Sequence, residues 1–159
     1  MTKLEVAFTL NGRRHDVRTP AHRTLLELLR DAVGAVDVKE GCGEGVCGAC
    51  TVLLDGEPVS SCLILAPRAA GCQITTVRAL GVGGSLHPLQ EAFATHGAVQ
   101  CGFCTPGMIL TAYAFLRDHP GPTRDEIRRA IAGNLCRCTG YAKIVDAIAS
   151  LAGAEAAHG

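Results

Sequence analysis

The sequence lacks the features that mark secreted, membrane and nucleic-acid-binding proteins. Fifteen basic residues balance fifteen acidic ones without a run of either sign, so nothing indicates binding to nucleic acid or to an anionic membrane surface. No secretory or twin-arginine signal precedes the first strand-like residues, and no stretch of about 18 apolar residues could cross a bilayer. We therefore expect a soluble, cytoplasmic protein that does not insert into a membrane.

Cysteine, by contrast, is abundant, and eight of the nine cysteines form two sets of four. The first set comprises Cys42, Cys47, Cys50 and Cys62, and the second comprises Cys101, Cys104, Cys136 and Cys138. The first set begins with the plant-type ferredoxin spacing of four and then two intervening residues. Because four thiolates hold one 2Fe-2S cluster, the two sets predict two clusters and a role in electron transfer.

Two other uses of cysteine fit the sequence less well. A secreted disulfide framework is normally shorter, carries a signal and has an even number of cysteines. Structural zinc sites usually pair their ligands two to four residues apart in both halves, and Cys62 has no such neighbour. A zinc-binding interaction module nevertheless stays open as an alternative. Cys72, the ninth cysteine, precedes a strand-like run and is interpreted as a small buried hydrophobe.

Residues 1–78 have the pattern of a mixed sheet crossed by one helix. Apolar residues alternate over 6–10 and meet the tight-turn pair Asn11-Gly12, and a second hairpin is centred on Asp55-Gly56. Thr24 begins a capping box for a helix over 25–33, and 74–77 is the predicted last strand. Four or five strands with one helix resemble the β-grasp domain of plant-type ferredoxins.

Residues 87–159 have the pattern of a four-helix bundle, reached through a glycine-rich linker over 79–86. Thr105 is the predicted cap of one helix, with Pro106 at its first position, and a later helix is capped by Thr123 and ended by Gly133. The second cysteine set flanks these helices, so two helix ends would hold one cluster. A Cys-X-X-Cys dithiol as in thioredoxin-like enzymes needs a βαβ context, which this half lacks.

Three strings carry a resemblance that covers residues 4–151. They are Gly41-Cys-Gly-Glu-Gly-Val-Cys-Gly-Ala-Cys-Thr, Gln100-Cys-Gly-Phe-Cys-Thr-Pro-Gly and Leu135-Cys-Arg-Cys-Thr-Gly-Tyr. The chain resembles the small iron-sulfur subunit of the molybdenum hydroxylases, of xanthine dehydrogenase, aldehyde oxidase and carbon monoxide dehydrogenase type. This resemblance implies an α+β fold, with a ferredoxin-like β-grasp domain followed by a helical domain and one 2Fe-2S cluster in each.

The resemblance also implies cofactors and partners outside this chain. A large subunit would hold the molybdopterin cofactor and a medium subunit would hold FAD, with the heterotrimer doubled. Electrons would pass from the molybdenum site through the helical-domain cluster and the β-grasp cluster to FAD. Gln100 would hydrogen-bond the pterin and Cys138 would lie beside it; otherwise Gln100 would only cap backbone groups of a loop. Thr139, Gly140 and Tyr141 would pack and donate amides, and the chain alone would not turn over substrate.

One alternative function and several substrates are compatible with the sequence. A free-standing two-cluster ferredoxin is the alternative function, but it would expose both clusters on a charged docking face, which the balanced charge disfavours. The substrate of the complex would be selected on another polypeptide. Purines, aldehydes, carbon monoxide, N-heterocycles and aromatic thioesters are therefore all compatible with this chain, as are several terminal acceptors and both directions of electron flow.

Overall fold

A computed structural model describes residues 3–152 and has the predicted α+β architecture, a sheet followed by helices. The predicted domains, residues 1–78 and 87–159, extend beyond this range at residues 1–2 and 153–159. None of the helices within residues 3–152 has the length and apolar character that a membrane crossing requires.

The N-terminal half is built on a five-stranded mixed sheet with the order β2-β1-β5-β3-β4. Its strands are β1 (Lys3–Leu10), β2 (Arg13–Pro20), β3 (Thr51–Leu54), β4 (Glu57–Ser60) and β5 (Gln73–Thr75). β5 runs parallel to β1 and antiparallel to β3, and it therefore joins the two hairpins into one sheet.

Both predicted hairpins are present, and the backbone conformation of their turns explains why they form. Asn11 and Gly12 have φ values of 51° and 79°, and Asp55 and Gly56 have 51° and 90°. Two successive residues with positive φ make the turn whose twist matches that of the paired strands, and Asn, Asp and Gly tolerate this conformation best. The register that follows pairs Val6 with Val17 in the first hairpin.

The predicted helix over 25–33 is present, but only its first turn is α-helical. α1 (Leu25–Glu27) has the expected capping box, in which the Thr24 hydroxyl accepts from the Glu27 amide and the Glu27 carboxylate accepts from the Thr24 amide. Leu28–Ala32 then form a wider π-helical turn. Four leucines of this segment are buried against the sheet, at positions 25, 26, 28 and 29. The predicted last strand also ends earlier, at Thr75, because Val77–Ala79 form a 3-10 turn.

The C-terminal half has the four predicted helices, with corrected ends. They are α2 (Pro88–Thr95), α3 (Thr105–Asp118), α4 (Arg124–Ala130) and α5 (Ala142–Ala149). The cap of α3 is Cys104 and not Thr105, since Thr105 already has helical geometry. Thr123 caps α4 through a capping box with Glu126, as expected, but α4 ends at Ala130 before Gly133.

The two halves have separate apolar cores that meet at β3. The core of the sheet lies between the sheet and the Leu25–Ala32 helix. The core of the helical half includes Met108, Ile127 and Ile148, and it also includes Leu53 of β3. On the surface, the Arg117 guanidinium of α3 donates to the carbonyl oxygen of Gly56 at 2.9 Å and pairs with Glu57 at 3.2 Å. The helices are therefore packed directly against the second hairpin.

Candidate iron-sulfur sites and the junction between them

The first cysteine set is brought together by the second hairpin. Cys42, Cys47 and Cys50 lie on the loop that leads into β3, and Cys62 lies on the 3-10 turn after β4. Antiparallel pairing of Thr51 with Ser60 places Cys50 and Cys62 at the same open end of this hairpin. The Ser61 hydroxyl donates to the Cys50 carbonyl oxygen at 2.7 Å and so keeps the two chain segments together at that end.

The thiols of the first set form two pairs with different surroundings. The pKa of Cys42 is lowered to about 6, chiefly by the Glu44 amide, which donates to its sulfur, and then by the Cys47 thiol. Burial raises the pKa of Cys62 to about 11, and the neighbouring Cys50 thiol adds to the effect. Cys42 therefore lies beside Cys47, and Cys50 lies beside Cys62.

The second set also forms two pairs, one outer and one inner. Cys101 and Cys138 are exposed, with their sulfur atoms 3.5 Å apart. Cys104 and Cys136 are half-buried neighbours. Burial raises the pKa of Cys104 to about 12, and the Cys136 thiol adds to this. Burial also acts to raise the pKa of Cys136, but the Thr139 hydroxyl and nearby amides outweigh it, so that pKa is lowered.

Two pairs of thiols in each set match what a binuclear iron-sulfur centre requires. Four protein thiolates shared between two irons give each iron two sulfur ligands from the protein. Soft thiolates also favour iron-sulfur clusters over hard cations. Within residues 3–152, no three or more His, Cys, Asp or Glu side chains converge closely enough to hold a single metal ion. The paired thiols therefore fit a 2Fe-2S cluster, and the ligand role of each cysteine stays a prediction.

The loops that carry the two sets are in direct contact. The Leu135 amide donates to the Cys47 carbonyl oxygen at 2.9 Å. The buried Asn134 side chain donates to the Gly48 carbonyl oxygen at 3.0 Å. Glycine is needed at this junction, because a Cβ atom at Gly48 would lie 2.5 Å from the Gly133 oxygen and one at Gly107 would lie 2.3 Å from the Gly48 oxygen.

Asn134 has no sequence pattern that marks it as a functional residue. It is one polar residue between the end of α4 and the second pair of cysteines, in a segment that reads as an exposed loop. Its partner Gly48 is 86 positions away. The nearest signal in the sequence is its partner Gly48, a glycine in the first cysteine loop at which a Cβ atom would clash with this junction.

Two other predicted positions can be compared with the structure. Gln100 is exposed beside Cys101, and its side chain has no hydrogen-bond partner within residues 3–152. It therefore caps no backbone group there, and its contact with a pterin stays a prediction. The expectation that Cys72 is buried is wrong, since its side chain is half-buried with its sulfur 3.4 Å from the Arg68 carbonyl oxygen.

Models of two protein families together match most of the chain. The 2Fe-2S iron-sulfur cluster binding domain matches residues 8–76. The 2Fe-2S binding domain of a second family matches residues 76–149. One family thus spans the sheet and the first cysteine set, and the other spans the helices and the second set.

The chain is also similar to characterised proteins over almost its whole length. It is 49% identical over 148 residues to the nicotinate dehydrogenase small FeS subunit of Eubacterium barkeri, covering 93% of this chain and 94% of that one. It is 48% identical over 148 residues to the xanthine dehydrogenase iron-sulfur-binding subunit of Escherichia coli O157:H7, covering 91% and 92%. Among solved structures, quinoline 2-oxidoreductase from Pseudomonas putida 86 superposes with a TM-score of 0.94 at 48% identity, covering 99% of this chain and 97% of that chain.

Proposed function

The chain belongs to the small iron-sulfur subunits of the molybdenum hydroxylase family, and from that membership we propose how it transfers electrons within a multisubunit oxidoreductase. Two 2Fe-2S clusters, one in each half, relay electrons between cofactors on other polypeptides. The chain supplies binding, spacing and electrostatics for the relay, while the reaction with substrate takes place on a partner subunit.

The ligands that we propose follow the two cysteine sets. Cys42, Cys47, Cys50 and Cys62 hold the cluster of the β-grasp half, and Cys101, Cys104, Cys136 and Cys138 hold the cluster of the helical half. The proximity of the thiols supports Cys42 and Cys47 as one pair that would hold iron together and Cys50 and Cys62 as the other. In the helical half it supports the pairs Cys101 with Cys138 and Cys104 with Cys136.

The hydrogen bond from the Leu135 amide to the Cys47 carbonyl is the observation that carries this proposal. Cys47 is a proposed ligand of one cluster, and Leu135 is covalently joined to Cys136, a proposed ligand of the other. A path of covalent bonds interrupted by one hydrogen bond of 2.9 Å therefore connects the two centres. This contact holds the two proposed cluster sites close together, which favours electron transfer between them.

The exposed apolar residues favour a subunit over a free-standing ferredoxin. Val46 and Leu63, beside the first set, are 59% and 62% exposed, and Phe103 and Leu135, beside the second, are 47% and 56% exposed. Apolar side chains exposed around functional groups are typical of surfaces that another protein covers. We therefore propose that partner subunits contact both cluster regions.

The order of the relay and the partners follow from the family. The helical-domain cluster faces the molybdopterin on a large subunit, with Gln100 and Cys138 beside the pterin, and the β-grasp cluster faces FAD on a medium subunit. The relatives named as small subunits support larger partners in one complex. The doubled heterotrimer, the cytoplasmic location and the domain limits 1–78, 79–86 and 87–159 are part of the same proposal.

The identity of the substrate does not follow from this chain. Relatives are named for nicotinate, nicotine, caffeine and xanthine, and others for aldehydes. Because the small subunit is similar in all of them, the substrate must be selected elsewhere in the complex. Purification of the complex and assay against N-heterocycles and aldehydes would identify it.

Iron analysis and electron paramagnetic resonance of the anaerobically isolated complex test the proposal. We expect about four iron and four sulfide per copy of this chain, and two distinct signals after reduction. Substrate should reduce both clusters before FAD. Iron-free protein, a single signal, or a colourless protein that contains zinc would contradict the proposal.

A further inference from the structure

The turn that joins Cys138 to α5 brings a side-chain hydroxyl close to the sulfur of a proposed ligand. The Oγ1 atom of Thr139 lies 3.1 Å from the sulfur of Cys136. The amide of Tyr141 donates to the same Thr139 oxygen at 3.2 Å. Within residues 3–152, Cys136 is the one proposed ligand whose sulfur has a side-chain hydroxyl as a partner.

The direction of this hydrogen bond is fixed once Cys136 binds iron. A ligating cysteine is a thiolate and has no proton to donate, so the Thr139 hydroxyl must be the donor. The Tyr141 amide already occupies one lone pair of the Thr139 oxygen. This orients the hydroxyl proton towards the sulfur of Cys136.

The surrounding turn holds the hydroxyl in place. Tyr141 has a left-handed backbone, with φ of 68°, which costs a non-glycine residue free energy and persists where its neighbours enforce it. Its phenol oxygen accepts from the Cys136 amide at 2.8 Å. That amide is therefore directed to the phenol and not to the sulfur of Cys136. The hydroxyl of Thr139 therefore acts on this half-buried sulfur together with the amides of Cys138 and Thr139.

We propose that Thr139 is a positioning residue that raises the reduction potential of the cluster in the helical half. The proposal rests on the proposed function, because it requires that cluster. Reduction of a bound cluster would add negative charge to the sulfur of Cys136, and the Thr139 hydroxyl would stabilise that charge by donating to the sulfur. No covalent bond forms or breaks. A donor to a ligand sulfur thus stabilises the reduced state, which makes this cluster a better acceptor for electrons that arrive from the pterin side.

Redox titration of the assembled complex, followed through the two cluster signals, tests the role of Thr139. Thr139→Val removes the hydroxyl at nearly constant volume, and Thr139→Ser is the matched control that keeps it. We expect Thr139→Val to shift the electron distribution away from the helical-domain cluster by about three- to tenfold, which is the usual worth of one hydrogen bond. A tenfold shift equals about 59 mV for a one-electron couple. Thr139→Ser should keep the wild-type potential, and the β-grasp cluster should not change in either variant.

Several outcomes would overturn the inference without touching the proposed function. One is an unchanged potential in Thr139→Val with both clusters present. Another is an equal shift in Thr139→Ser, which would assign the effect to packing. A shift of the same size in the β-grasp cluster would also exclude a local role. If Thr139→Val does not assemble, Thr139→Ala removes the hydroxyl with less steric demand and is judged by the same criteria. Absence of the second cluster from the wild-type complex would instead refute the proposed function.

Discussion

The four proposed ligands of the helical half differ in exposure in a way that suits their place in a relay. Cys101 and Cys138 are exposed, whereas Cys104 and Cys136 are half-buried. Cys136 follows Leu135, whose amide contacts the other cluster loop. The outer pair thus faces the surface where a partner would bring its cofactor, and the inner pair adjoins the path to the second cluster.

At the residue scale, cysteine substitutions distinguish cluster ligands from cysteines that do not bind iron. Cys104→Ala should remove about half of the bound iron, since a 2Fe-2S cluster needs all four thiolates. The signal of the helical-domain cluster should disappear while the other signal remains. Cys72→Ala is the matched control, because Cys72 belongs to neither set, and it should keep all iron. Full iron content in Cys104→Ala, measured by metal analysis and paramagnetic resonance, would remove Cys104 from the ligand set.

Replacement of Gln100 tests whether the exposed side of the second cysteine set contacts a pterin. Because its side chain is exposed and has no hydrogen-bond partner within the described residues, Gln100→Ala should change folding stability by no more than about 0.5 kcal/mol. Both clusters should be retained, and reduction of the helical-domain cluster by substrate should slow in rapid-mixing experiments. Gln73→Ala, at another exposed glutamine, is the control. Loss of a cluster in Gln100→Ala would make Gln100 structural.

At the scale of elements, the features that sequence predicts well are those set by neighbouring residues. Two successive left-handed residues make each hairpin, and a hydroxyl three residues before a glutamate makes the caps of α1 and α4. The π-helical turn at Leu28–Ala32 is not predicted, because the local pattern is that of an α-helix and its buried leucines pack against residues distant in the sequence. The junction at Asn134 and Gly48 is missed for the same reason, because 86 positions separate the partners.

The cap of α4 gives a prediction at this scale. The Thr123 hydroxyl accepts from the Glu126 amide, and the Glu126 carboxylate accepts from the Thr123 amide. Thr123→Ala should cost about 1 kcal/mol of helix stability. Hydrogen exchange of the α4 amides should therefore quicken by roughly fivefold, since about 1.4 kcal/mol corresponds to tenfold. Thr123→Ser keeps the hydroxyl and should exchange like the wild type; equal rates in all three proteins would show that packing alone holds α4.

At the scale of the whole molecule, two polar contacts between the halves, beside the apolar packing around Leu53, differ in expected strength. Arg117 reaches the second hairpin on the surface, where its guanidinium and the Glu57 carboxylate are 39% and 71% exposed. Exposed ion pairs contribute about 0–1 kcal/mol. Asn134 and Gly48 are buried with their backbones in close approach, so the geometry between the cluster loops depends mainly on this junction.

Replacement of Asn134 tests whether this junction sets the coupling of the two clusters. Asn134→Asp has nearly the same shape but places a carboxylate oxygen, instead of the amide donor, against the Gly48 carbonyl. Two acceptors repel, and a buried charge without a partner is costly. We expect a loss of stability of about 1–3 kcal/mol, together with weaker magnetic interaction between the reduced clusters and slower electron transfer between them. Arg117→Ala is the control for a contact between the halves that lies away from the clusters, and it should leave the magnetic interaction unchanged. If Asn134→Asp lowers stability but leaves the interaction at its wild-type value, the Leu135-to-Cys47 link keeps its geometry without Asn134, and the role of this residue is stability alone.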